Sequence, residues 1–307
     1  MKLVSFSVEG GTVEGGLWFE SGVLPFDAAA PIIDAPELGS SAATVLNVLR
    51  SGRSLTDRLM ELDRSVRSGS HSDRLVAHDM VKLAAPIPRP EKNVFCVGRN
   101  YLDHVKEGYK ARGTDLKVPE FIQLFSKPPT TVVGTGADIR YDKRLTQKLD
   151  YEAELGLVIG KAGRDIRPED AFDHIFGYTV INDVTARDLQ RAHDQWFKGK
   201  GLDTSCPMGP WIVTADEVVE PQNLHIRCMV NGEVRQESNT SMMIFDIRTI
   251  IAELSRGLTL EPGDIIATGT PSGVGYAMEP PRLLNVGDVV EVSVAGVGSI
   301  RNTVAAA

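Results

Sequence analysis

Asp150-Tyr-Glu-Ala-Glu-Leu-Gly-Leu-Val-Ile-Gly160 alternates at period two, with Tyr151, Ala153, Leu155 and Leu157 on one side and Glu152, Glu154 and Gly156 on the other. The pattern predicts a β-strand with two carboxylates side by side. Such a pair usually marks a solvated face, but here glycines flank a very apolar strand. A second apolar run, Gly177-Tyr-Thr-Val-Ile-Asn182, ends in Asp183. If the two strands meet, three carboxylates converge. Two carboxylates ~4 Å apart repel by ~4 kcal/mol at an effective dielectric near ~20, so the cluster calls for a cation. An all-oxygen ligand set points to a hard ion, Mg²⁺ or Mn²⁺.

The chain has 307 residues, 42% hydrophobic and 24% charged, which is the composition of a soluble globular protein of one or two domains. A formal charge of −8 argues against nucleic acid or an anionic membrane as partner. An anionic substrate therefore needs a local cationic site or a metal. No apolar run is long enough for a membrane helix, and the first residues lack the apolar core of a signal peptide. Three cysteines, Cys96, Cys206 and Cys228, show no paired spacing and fit a reducing cytoplasm.

Residues 1–85 read as a small N-terminal α+β domain. Leu3–Val8 and Gly15–Phe19 form a hairpin pattern, and 41–50 and 54–64 carry leucines at helical spacing, each opening on a serine able to cap it. The segment 84–90 is a Pro-rich linker, and 86–307 reads as a second domain. After a short buried strand at 93–97, His104 and Glu107 stand at i, i+3, so one helical turn brings imidazole and carboxylate together. The spacing also fits a surface pair. The charged stretch 109–119 has the character of a lid, and Lys127 ends the strand that follows it.

Beyond Asp183, Arg187 and Gln190 fall at i+4 and i+7, which places all three on one helical face. A Gly-rich loop at 196–207 carries Lys198 and Lys200. Asn231-Gly232 between two strand patterns is a type I′ hairpin signal, 245–258 reads as a helix, and 260–275 as a turn, a buried strand and a Gly/Thr/Ser loop able to meet an oxyanion.

Six stretches together resemble the fumarylacetoacetate hydrolase family over about residues 90–304: Gly98-Arg-Asn-Tyr with His104 and Glu107, Tyr151-Glu-Ala-Glu-Leu155, Asn182-Asp-Val-Thr-Ala-Arg-Asp-Leu-Gln190, Lys200-Gly-Leu-Asp-Thr204, Glu261-Pro-Gly-Asp264 and Thr268-Gly-Thr-Pro-Ser-Gly-Val-Gly275. The resemblance implies a β-rich α+β fold, a mixed β-sheet roll, and a homodimer. It implies Glu152, Glu154 and Asp183 as Mg²⁺ (or Mn²⁺) ligands and His104 and Glu107 as a water-activating dyad. Lys200 becomes the catalytic lysine, and Arg187, Gln190, Thr270 and Lys127 become substrate contacts. Fumarylacetoacetate hydrolases proper carry an Asp ligand seven residues before the His, where this chain has Val97. The chain thus resembles the three-carboxylate branch acting on acylpyruvates and small oxo acids. The expected activity is metal-dependent hydrolysis of a 2,4-dioxo acid to pyruvate and a carboxylic acid. The alternatives are an oxo-acid decarboxylase, a dienol-dioate isomerase, or a non-catalytic binding protein.

Overall fold

The computed structural model describes residues 1–40 and 43–307. The chain opens with β1 (Lys2–Val8), β2 (Glu14–Phe19), β3 (Gly22–Pro25), α1 (Val45–Arg50) and α2 (Arg53–Arg67). Then come β4 (Val94–Gly98), α3 (Leu102–Arg112), β5 (Gln123–Lys127), β6 (Ala153–Ile159), β7 (Ile175–Asn182), α4 (Arg187–Ala192), α5 (Phe197–Lys200) and β8 (Cys206–Thr214). The chain closes with β9 (His225–Val230), β10 (Glu233–Asn239), α6 (Ile247–Ser255), β11 (Ile265–Ala267), β12 (Val289–Val294) and β13 (Gly298–Ala306). Shorter pieces are named by their residues.

The large sheet runs β3-β2-β1-β8-β7-β6-β11-β4-β5, with Val81–Leu83 on β1 and Val132–Val133 on β8. Its pairings are antiparallel except β11 with β4 and β8 with Val132–Val133. A second sheet runs β10-β9-β12-β13, with Ile139–Tyr141 parallel at its edge. This is the β-rich α+β architecture with mixed sheets that the sequence led us to expect.

β6 sits in the middle of the large sheet and is buried along its whole length. Its alternation is real, but neither face is solvated. Leu155 and Leu157 join one core, shared with Val180 of β7 and with Val292 and Ile300 of the second sheet. Val158 joins the other core, with Leu55 and Leu59 of α2. Burying both faces removes the ordinary reason for acidic residues on such a strand.

The N-terminal segment adds its strands to the same sheet, because β1 pairs with β8 (Leu3↔Ile212) and the segment's last strand returns onto β1 (Phe6↔Leu83). The division proposed near residue 85 is therefore one of sequence segments that share one sheet. Two cap expectations need correction. Ser54 lies inside α2, whose N-cap is Gly52 without a side-chain bond. Thr44, not an earlier serine, caps α1, where it exchanges bonds with Asn47 in a capping box; Ser41 lies outside the described residues. Asn231 and Gly232, at φ +54° and +80°, make the type I′ turn that their sequence called for.

β7 meets β8 closely at Gly177, where an added Cβ would stand 2.2 Å from the Val213 carbonyl oxygen. The contact is with backbone, which cannot swing aside. Gly177→Ala is expected to cost about 1–3 kcal/mol through overpacking. The check is the denaturant midpoint, and an unchanged midpoint would show that the two strands can separate without cost.

Candidate functional site

Glu152 immediately precedes β6 and Glu154 lies within it, while Asp183 follows β7, and the strand pairing brings them together. The Asp183 N–H donates to the Glu152 carbonyl (2.8 Å), and the Glu152 N–H donates to Asn182 Oδ1 (3.1 Å). One carboxylate oxygen from each of Glu152, Glu154 and Asp183 falls within 4.8 Å of the others, and all three residues are buried. The reading of Asp183 as part of the following helix is corrected. The chain runs through a short strand, Thr185–Ala186, paired with Leu149–Asp150, before α4 begins at Arg187, so this strand, not a helical face, lies between Asp183 and Arg187.

The buried charges alternate in a chain. Arg187 bridges Asp150 (Nε–Oδ2, 2.9 Å) and Glu152 (Nη1–Oε1, 2.6 Å). The Lys200 ammonium bridges Glu152 (2.8 Å) and Asp183 (2.6 Å), and Lys127 holds the other Asp183 oxygen (2.7 Å). Lys127 also donates to the Val184 and Lys200 carbonyls, so its three hydrogens are committed. It lies beneath the carboxylates and does not line the cavity, which corrects its expected place as a substrate contact.

Glu154 stands outside this chain: its Oε2 accepts the Gly269 N–H (2.7 Å), and it has no ion-pair partner among the described residues. The electrostatics follow. Burial opposes ionisation of Glu152, but Lys200 and Arg187 outweigh it and draw its pKa down to about 2. Burial, with Asp183 and Glu152 alongside, pushes Glu154 well above the usual carboxylate range. Burial disfavours the Lys200 ammonium, yet Asp183 and Glu152 raise its pKa overall, so it remains a fixed cation. With Glu154 ionised, as a metal ligand would be, four carboxylates, Asp150, Glu152, Glu154 and Asp183, face three cations, Lys127, Arg187 and Lys200, leaving one negative charge. An uncompensated carboxylate within an all-oxygen cluster suits a hard divalent ion.

These groups open onto a cavity of about 340 Å³. Glu152, Glu154, Arg187, Gln190, Lys200 and Thr270 line it. Thr270 Oγ1 accepts from Gln236 Nε2 (2.8 Å), and Gln190 Oε1 accepts from Arg187 (3.3 Å). On the opposite wall, α3 presents His104, whose Nδ1 meets Glu107 Oε1 at 2.8 Å, while Glu107 Oε2 accepts the Gly273 N–H (2.8 Å). Glu107 is thus fixed at both oxygens, and the ring keeps Nε2 for the cavity. With Nδ1–H donating to Glu107, Nε2 carries the lone pair of a base.

Sequence reasoning missed two residues that hold the site. Asp150 is fully buried and accepts the N–H groups of Gly275 (2.8 Å), Tyr276 (3.1 Å) and Tyr151 (3.0 Å) besides Arg187. Asn100, also fully buried, donates to the Phe245 and Thr268 carbonyls and accepts the Phe245 N–H. Their signals, an Asp just before the Glu-x-Glu and an Asn after Gly98-Arg99, are visible but carry no spacing rule.

Comparison with known proteins agrees with this geometry. The family model described as fumarylacetoacetate (FAA) hydrolase C-terminal matches residues 93–305. The oxaloacetate tautomerase YisK of Bacillus subtilis is 50% identical over 224 residues, 73% of each chain. A fumarylacetoacetate hydrolase structure from Exiguobacterium antarcticum is 40% identical, superposes with a TM-score of 0.81, and covers 100% of both chains. A maleylpyruvate hydrolase from Sphingobium, solved with manganese(II) and pyruvate, is 28% identical, with a TM-score of 0.76 over 100% of this chain and 99% of that one.

Two measurements test the cluster. Asp150→Asn leaves the Arg187 guanidinium short of one buried anion, and a loss of about 3–5 kcal/mol in chemical denaturation is expected. Adding Mg²⁺ or Mn²⁺ to EDTA-stripped protein is expected to raise the melting temperature, with the rise absent in Glu154→Gln. A full rise in that variant would remove Glu154 from the ligand set.

Proposed function

The chain belongs to the fumarylacetoacetate hydrolase family, and from that premise we propose that it interconverts the enol and keto forms of a small 2-oxo acid of the oxaloacetate kind. The observation that carries this reading is the arrangement across the cavity. The His104 imidazole, held by Glu107, lines the same cavity of about 340 Å³ as the Lys200 ammonium and the carboxylates Glu152 and Glu154. The likeness to an oxaloacetate tautomerase at 50% identity supports the choice of reaction.

A divalent cation, Mg²⁺ or Mn²⁺, held by Glu152, Glu154 and Asp183 would act as a Lewis acid towards the 2-oxo carboxylate end of the substrate. His104 Nε2 takes the proton from C3 of the keto form and passes it to solvent, while the enolate oxygen takes a proton from water to complete the enol; the reverse direction runs the same transfers backwards. Glu107 holds the ring in the tautomer that this requires and stabilises the imidazolium once formed. Lys200, kept cationic by Asp183 and Glu152, faces the enolate oxygen as its negative charge grows. Arg187, Gln190 and Thr270 line the same end and orient the carboxylate.

Hydrolysis of a 2,4-dioxo acid, the reaction the sequence first suggested, remains the second reading. The same Nε2 could take its proton from water, so the dyad serves both reactions and cannot choose between them. Decarboxylation differs, because loss of CO₂ needs the electron sink but not the base.

In His104→Ala, enol-to-keto conversion of oxaloacetate, followed by loss of enol absorbance, is expected to slow by about 10²–10⁴-fold. EDTA is expected to abolish conversion in the wild type. Unchanged conversion in the variant would sink the reading. Faster cleavage of acetylpyruvate than conversion of oxaloacetate would move the protein to hydrolysis.

A further inference from the structure

Among the arginines lining the cavity, Arg99, Arg112 and Arg191 form no ion pair among the described residues, and the first two share a ring. Arg99 and Arg112 are held together. The Tyr109 ring lies between them, with the Arg99 guanidinium carbon 5.7 Å and that of Arg112 4.7 Å from its centre. Trp196 supports Arg99 from another side at 5.5 Å. Gly98 makes room for that indole, since a Cβ there would stand 2.3 Å from it. Arg99 itself adopts a left-handed backbone at φ +53°, a conformation that costs energy for a residue with a side chain.

Arg99 is half-buried and Arg112 exposed, and two like charges on one ring repel unless an anion joins them. Burial of Arg99, and then the Arg112 charge, pull the Arg99 pKa below its usual value, as expected for a cation lacking its counter-charge. The nearby acids do not supply it. Glu107 is committed to His104 and Gly273, and Asp194, which also lines the cavity, is exposed and pairs with neither arginine. Neither guanidinium has its N–H groups committed to an acid among the described residues, so both can meet a carboxylate.

We propose that Arg99 and Arg112 bind the second carboxylate of a 2-oxo dicarboxylate whose 2-oxo carboxylate end lies at Lys200 and the carboxylate cluster. This rests on the oxo-acid reading above and adds to it the substrate class and two residues that set specificity. A neutral-tailed 2-oxo acid would leave both arginines unanswered and bind more weakly.

The test separates binding from turnover. 2-Oxoglutarate and 2-oxopentanoate have the same chain length and differ in a terminal carboxylate against a methyl. Their dissociation constants are measured by calorimetry on the Mg²⁺-loaded wild type, Arg99→Gln, Arg99→Lys and Arg112→Gln. The wild type is expected to prefer the dicarboxylate by roughly 10- to 100-fold, the strength of a charge-assisted contact. Each Gln variant is expected to lose most of that preference while binding 2-oxopentanoate within about twofold of wild type. Arg99→Lys should restore part of it, which also shows that position 99 tolerates replacement. Equal binding of the two acids by the wild type, a preference surviving in both Gln variants, or equal weakening towards both acids would each overturn the proposal. A dicarboxylate preference in a protein that converts no oxo acid would leave this inference standing and sink the tautomerase reading. Oxaloacetate turnover without such a preference would do the reverse.

Discussion

The Lys200 ammonium between Glu152 and Asp183 is the contact on which the rest of the site depends. Buried carboxylates are tolerated only when paired, and here pairing is extended into an alternating sequence of charges: Asp150, Arg187, Glu152, Lys200, Asp183, Lys127. Each interior member answers two neighbours. Removing any one leaves a neighbouring charge short of a buried partner, which costs more than the pair itself contributes. The arrangement explains why a strand buried on both faces can carry glutamates at all. It also explains why Glu154, outside the alternation, is the residue that gives the cluster its appetite for a cation.

The backbone holds these charges in place from several directions at once. β6 and β7 fix the two glutamates and Asp183 through sheet bonds, while Gly269 and Gly273 of the following loop donate to Glu154 and Glu107. Asp150 pins the same loop at Gly275 and Tyr276, and Asn100 ties the end of β4 to Thr268 and Phe245. The loop therefore touches both the carboxylate wall and the histidine wall. The distance between His104 and the cluster is set by backbone contacts, not by long side chains, which is what a site that moves protons would require.

Local features of the site were legible in the sequence and distant ones were not. Period two placed Glu152 and Glu154 together, and i, i+3 placed Glu107 on His104, because both relations lie within one element. The same habit misread Asp183 as helical, since a short strand at Thr185–Ala186 intervenes before α4. The partner of Lys127 is 56 residues away and that of Lys92 at Asp264 is 172 away, and no local pattern announces such contacts. β1 finds β8 across some two hundred residues, so the sequence showed a hairpin but not the sheet it extends. Ser54 and Gly52 compete for the start of one helix, and propensity alone cannot rank a capping side chain against a permissive backbone.

The charge count also bears on what the site can hold. With Glu154 ionised, the buried cluster counts one net negative charge, so a divalent cation would turn it to one positive charge, which the carboxylate end of the proposed 2-oxo acid would neutralise. A neutral ketone would leave the balance open, and a free dianionic head would overshoot it. The second negative charge of a dicarboxylate has to be met elsewhere, and the one uncompensated pair of cations along the cavity that stacks on a shared ring is Arg99 with Arg112. On this arithmetic the cluster selects the reacting end and the arginines select the tail. Changes at the two ends should then be separable: those at the cluster alter the chemistry, and those at the arginines alter which acid arrives.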